Sequence, residues 1–207
     1  MPQITLPQIT LDIPQAELEK ALEPRIPLPG VSWLQYESMV AAVGNRPQLR
    51  LTYLAGTLEI MTISPEHEMV KTMIAHLLYT YTDVKSIDLF SCGSATFKNA
   101  ATARGLEPDE SFCIGQRREF PDLAIEVVIT TGGIDKLAVY QGLGVQEAWF
   151  WQTGQFSLYQ LRPDATGYDP IPHSGLLPDL DLELLAQHVT PEIEPQAFRA
   201  FCQAICP

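Results

Sequence analysis

The chain has 207 residues, 46% of them hydrophobic, with 25 Asp and Glu against 13 Lys and Arg and a formal net charge of −12. That length suits one domain with a real core, and the negative balance opposes any nonspecific pull toward nucleic-acid phosphates. No apolar run is long enough to span a membrane and MPQITLPQITLDIPQAE lacks the pattern of a signal peptide, so a cytoplasmic protein is expected.

Residues 1–30 are rich in proline and read as an extended arm, with a short helix expected over Gln15 to Leu22. The main domain is expected over residues 31–190. Ser32 can cap a helix through Val43 that Gly44 ends. Gln48 to Leu54 and Thr57 to Thr62 alternate as two strands of a hairpin turning at Ala55-Gly56. Ser64-Pro65 then opens a helix to about Tyr81, with Val70, Ile74, Leu77, Leu78 and Tyr81 as its buried stripe. Ile87 to Cys92 and Ala95 to Lys98 read as strands around a Gly93-Ser94 turn, and Asn99 to Arg104 as a polar loop.

Ser111 to Ile114 is a short strand with Asp109 and Glu110 at its entrance. GQRREF follows, holding the basic pair Arg117 and Arg118. Leu123 to Ile129 is a near-continuous apolar run, as in a strand covered on both faces. A helix over Ile134 to Leu143 and a strand over Val145 to Trp151 complete a βαβ unit with parallel strands. A turn at Thr153-Gly154 leads to strand Phe156 to Leu161, then an edge strand near Tyr168 to Ile171. LLPDLDLELLAQHV gives a short helix, and Pro195 to Ile205 a last one within a C-terminal segment 191–207. Cys92, Cys113, Cys202 and Cys206 have neither zinc-ligand nor disulfide-framework spacing and read as thiols.

The chemistry centres on Glu126. The two-residue period puts Leu123, Ile125, Val127 and Ile129 on one face and Asp122, Ala124, Glu126 and Val128 on the other. A carboxylate on a covered face must be paired, hydrogen-bonded, protonated or bound to a metal. Asp109, at the mouth of the neighbouring strand, can converge with it on one divalent cation, a hard ion that prefers oxygen ligands. Lys136 is the leading basic partner and Lys98 the second. Such parts suit metal-assisted phosphodiester hydrolysis. His67 reads either as a buried hinge histidine bonded to a loop carbonyl or as a residue facing the pocket of Glu126.

RLTYLAGTLEIMTISPEHE, ARGLEPDESFCI and PDLAIEV followed by DKLAVYQGLGVQEAWFW resemble the Uma family of candidate endonucleases, over about Trp33 to Leu180. The resemblance implies the restriction-endonuclease-like fold of the PD-(D/E)xK superfamily, a mixed central sheet flanked by helices, and a DNA endonuclease working with Mg²⁺ or Mn²⁺. It makes Asp109 the first acid, Glu126 the second, and the Val127 main-chain carbonyl a further metal ligand. His67 matches a recurring histidine, with His67 or Glu66 supporting the pocket. The motif lysine would fall at Val128; Lys136 is its expected substitute. Ala55 likewise stands where many relatives are acidic. A homodimer is expected, since two sites cut both strands of a duplex most simply. The alternatives are a catalytically silent scaffold on the same fold and, third, a hydrolase of smaller phosphoesters.

Overall fold

The computed structural model describes residues 23–44, 46, 48–130 and 132–206; the helix expected over Gln15 to Leu22 lies outside them. The strands are Arg25–Pro29 (β1), Leu49–Leu54 (β2), Thr57–Thr62 (β3), Leu89–Ser91 (β4), Phe97–Asn99 (β5), Arg104–Leu106 (β6), Glu110–Ile114 (β7), Leu123–Val127 (β8), Glu147–Gln152 (β9), Gln155–Leu161 (β10) and Tyr168–Ile171 (β11). The helices are Trp33–Val43 (α1), Pro65–Val84 (α2), Lys136–Leu143 (α3), Leu182–Gln187 (α4) and Glu194–Ile205 (α5). They flank two sheets, a mixed α and β architecture consistent with the restriction-endonuclease-like fold. One sheet is antiparallel, in the order β1-β3-β2-β6-β5. The other runs β11-β10-β9-β8-β7-β4 and is mixed, because β8 and β9 pair in parallel across α3.

Every residue of β8 is buried. Leu123, Ile125 and Val127 join the large core beneath α2, α4 and α5, while Ala124 packs with Leu106, Val139, Tyr140 and Leu143 on the other face. This division fixes the register. A slip of one residue would drive Glu126 into the apolar core and strand the aliphatic side chains on the wrong face, each worth roughly 1.5–3 kcal/mol of burial. Local signals set the helix ends. Ser32 and Gln35 form a reciprocal capping box on α1, Ser64 caps α2, and α3 starts at the Asp135 cap and stops at Gly144 in the left-handed region.

Two expectations need correction. β4 and β5 do not form a hairpin about Gly93-Ser94: β4 pairs with β7 in the mixed sheet and β5 with β6 in the antiparallel one. Each strand is only three residues long, so its partner is set by the layers around it, not by its own alternation. The strand β6 falls at the end of the expected loop because Gly105 reads as a breaker. Here the glycine is needed for close approach, since a Cβ would sit 2.3 Å from the Tyr36 hydroxyl of α1.

One buried carboxylate serves the frame alone. Glu147 in β9 accepts from Trp149 Nε1 (3.0 Å), Ser174 Oγ (2.7 Å), Gly175 N (2.7 Å) and Leu176 N (3.0 Å), tying the loop after β11 to the sheet. Glu147→Ala strips Trp149 Nε1, Ser174 Oγ and Gly175 N of this acceptor, while Leu176 N keeps Ser174 Oγ at 3.1 Å, and is expected to cost about 3 kcal/mol of unfolding free energy. Urea denaturation should show a lower midpoint at unchanged slope; an unmoved midpoint would refute this role.

Candidate active site

β7 and β8 run antiparallel with Glu110 opposite Ile125, so one further step brings Asp109 beside Glu126. Both are completely buried. Asp109 Oδ2 accepts the Val127 backbone N–H at 2.8 Å and lies 2.9 Å from His67 Nε2. Its Oδ1 is buried without a hydrogen-bond partner among the described residues, with Arg50 Nε 4.0 Å away. The Lys136 ammonium donates to Glu126 Oε2 and the Tyr140 hydroxyl to Oε1. Lys136 and Tyr140 stand one turn apart on α3, so a single helix face holds both carboxylate oxygens.

His67 is set by the first turn of α2, where its N–H donates to Ser64 Oγ at 3.2 Å. Its Nδ1 lies 2.8 Å from Glu23 Oε1, which also accepts from Ser64 N and Oγ. The result is a buried chain, Glu23–His67–Asp109, ahead of Glu126. Among the described residues His67 therefore meets two carboxylates and not the loop carbonyl expected of a hinge histidine.

Burial would raise the Asp109 pKa, but the charge of Lys136 and the contacts with His67 and the Val127 N–H hold it below the ordinary carboxylate range. Glu126 moves the other way: burial lifts it to about 7, Lys136 opposing and Asp109 reinforcing the rise. Burial also works against the Lys136 cation, yet Glu126 and Asp109 raise its pKa. For His67 the desolvation cost is overcome by Asp109 and Glu23, which raise it to about 9. Neighbouring carboxyls driven apart in acidity mark sites where one group holds charge while another exchanges a proton.

A cavity of about 280 Å³ opens on Glu126 and Lys136, bounded also by Arg25, Thr130, Phe150 and Tyr159. Asp109, Glu126, Lys136 and His67, singled out in the sequence, thus come together. Lys98 does not; it is exposed and pairs with Glu37 at 3.0 Å. Glu66 is exposed on α2. Sequence reasoning missed Tyr140 as a site residue, although its spacing of four from Lys136 was a readable signal. It also missed Glu23, Arg25 and Glu59, which join the site only through contacts distant in the chain.

Among the described residues no group of three or more His, Cys, Asp and Glu is placed to hold a metal ion, and no helix is long and apolar enough to cross a membrane. The available donor set is two carboxylates, one with an oxygen that accepts no hydrogen bond from the described residues. That suits a cation such as Mg²⁺, which takes one or two carboxylates and completes its shell with water and phosphate.

The model of the Uma2 family, described as "Putative restriction endonuclease", matches residues 33–193. No curated protein matches the chain.

The His67 bridge predicts a pH signature in metal-free buffer. The folded pKa of about 9 lies above the ordinary 6.5, so the stabilisation is complete below pH 6.5 and is lost as pH rises through 9. Glu126, raised from 4.5 to about 7, loses stabilisation over that lower window with the same sign, so the range above pH 7 reports on His67. Unfolding free energy should fall from pH 7.5 to 9 in the wild type and flatten in His67→Gln. Equal slopes in the two proteins would exclude the charged bridge.

Proposed function

Because the chain belongs to the Uma2 family, we propose that it is a Mg²⁺- or Mn²⁺-dependent endonuclease that hydrolyses phosphodiester bonds in DNA. The observation that carries this reading is the buried Asp109–Glu126 pair on adjacent strands, with Lys136 beside it and a cavity opening onto it. Asp109, through Oδ1, which faces Arg50 at 4.0 Å but accepts no hydrogen bond from the described residues, with Glu126 and the Val127 carbonyl, would hold the cation. When bound, the cation supplies Lewis acidity to the phosphoryl group and lowers the pKa of water.

The protein's own groups do the remainder. Lys136 keeps its proton against burial and, beside the N–H given to Glu126, has further N–H donors for a phosphate oxygen, countering charge that builds in the transition state. Tyr140 holds the Glu126 carboxyl in one orientation. His67, fixed by Glu23, holds Asp109 ionised and oriented. Cutting both strands of a duplex is simplest with two copies of the chain.

A second reading has its own support. Both Glu126 oxygens already accept hydrogen bonds and Val128 occupies the motif-lysine position, as suits a scaffold that keeps the fold without hydrolysis. Calorimetric titration with Mn²⁺ separates the two. Binding at millimolar affinity or tighter, lost in Asp109→Asn, is expected of the enzyme; no binding to the wild type favours the scaffold. Supercoiled plasmid should be nicked in Mg²⁺ or Mn²⁺, with chelation or Glu126→Ala lowering the rate at least about 100-fold. Nicking that persists in Glu126→Ala would overturn the assignment.

A further inference from the structure

Arg25 precedes the family-matched residues 33–193, yet it borders the same cavity as Glu126 and Lys136. It lies in β1, the edge strand of the antiparallel sheet, paired in register with Met61 of β3. Its guanidinium is held from two sides. Nη1 donates to Glu59 Oε1 and Nη2 to the Thr130 carbonyl, each at 3.3 Å. Glu59 is itself fixed, since its Oε2 accepts the Ile134 N–H at 3.0 Å. The Arg25 side chain is 13% exposed, and its Nε is buried without a hydrogen-bond partner among the described residues.

A guanidinium carries five N–H donors in a rigid fork. Two are used by Glu59 and Thr130, and a buried N–H left unmade costs free energy that an incoming acceptor recovers. The fork matches the paired oxygens of a phosphate, which is why arginine dominates planar recognition of that group. The cavity holds a second cation, Lys136, and its volume of about 280 Å³ falls at the low end of ligand pockets. That is room for a phosphate together with the sugar atoms that flank it. A chain with 25 acidic and 13 basic residues must draw affinity for a polyanion from local placement of cations.

From this juxtaposition we infer that Arg25 is a phosphate-binding residue, gripping a nucleic-acid backbone phosphodiester opposite Lys136. The assignment rests on the nuclease reading above. It makes the segment before the family-matched region part of the substrate site and not merely an appended arm.

The test uses the full chain with Arg25→Gln, Arg25→Lys and Glu59→Gln beside wild type. Fluorescence anisotropy reads the binding of a short duplex oligonucleotide in Ca²⁺ across a salt series, and plasmid nicking is followed in Mn²⁺. Arg25→Gln should bind about ten-fold more weakly or worse, with a log–log salt slope shallower by roughly one and KM changed more than kcat. Arg25→Lys should recover the slope, because the charge remains. Glu59→Gln tests for mere propping: it removes the ion pair but should keep the wild-type slope. An Arg25→Gln protein that binds and nicks like wild type, while Glu126→Ala is dead, overturns the inference and leaves the nuclease reading intact. A loss in Glu59→Gln equal to that in Arg25→Gln, slope included, overturns it too. Wild type that neither binds Mn²⁺ nor nicks overturns both.

Discussion

Two carboxyl groups with no solvent exposure sit side by side on neighbouring strands, and much of the molecule answers the problem this creates. Like charges 4 Å apart repel by about 4 kcal/mol at an effective dielectric of 20, and burial adds the cost of lost hydration. The protein meets that cost with separate devices for the two acids. Against the cost of burial, Asp109 is kept ionised first by the field of Lys136, then by His67 and the Val127 N–H. Glu126 is left with a weaker acid's pKa and is held by Lys136 and Tyr140. The result is a cluster of two cations, Lys136 and His67, and three carboxyl groups, Glu23, Asp109 and Glu126, open to exchange where it meets the cavity.

That electrostatic demand explains placements that packing alone leaves arbitrary. The crossover helix α3 is only eight residues long, yet its first turn brings a cation and its second a hydroxyl to the same carboxylate. The turn before it is shaped from the opposite sheet. Glu59 of β3 accepts the Ile134 N–H, and a Cβ at Gly133 would lie 2.3 Å from Glu59 Oε2. Gly133 also has φ +98, a backbone conformation that side chains resist. Glu59 thus locates Arg25 and the loop entering α3 together. With Arg25 and Arg50, it is one of the side chains through which the two sheets meet at the site.

How much of this the sequence disclosed depends on the range of the interaction. Glu126 could be found because an acid inside a five-residue apolar strand contradicts its neighbours, and contradictions of that kind mark function. Asp109 followed from strand adjacency, and Lys136 from the short βαβ crossover. The strand pairing of Leu89–Ser91 and Phe97–Asn99 could not be read, because three residues carry too little pattern to choose a sheet. The roles of Glu23, Arg25 and Glu59 were hidden for another reason. Each acts across at least 34 positions, through His67, Thr130 and Ile134 among others, and no local periodicity encodes such a contact. His67 sat between the two cases: its burial was legible on the α2 stripe, while its two carboxylate partners were not.

The net charge of −12 weighs against a DNA substrate only if it acts at the range of the reaction. At physiological ionic strength the Debye length is about 8 Å, so acidic groups dispersed over an exposed surface are largely screened from a phosphate seated in the cavity. Arg25 and Lys136 line that cavity directly and, being little exposed, are screened far less. On the nuclease reading, long-range steering is therefore poor while the short-range grip of these two cations is intact. Such a protein would meet its substrate slowly and hold it through few contacts, and selectivity would fall to the shape of the cavity around one phosphate. The overall charge thus bears on the rate of encounter; the two paired acids and the cations facing them bear on the chemistry.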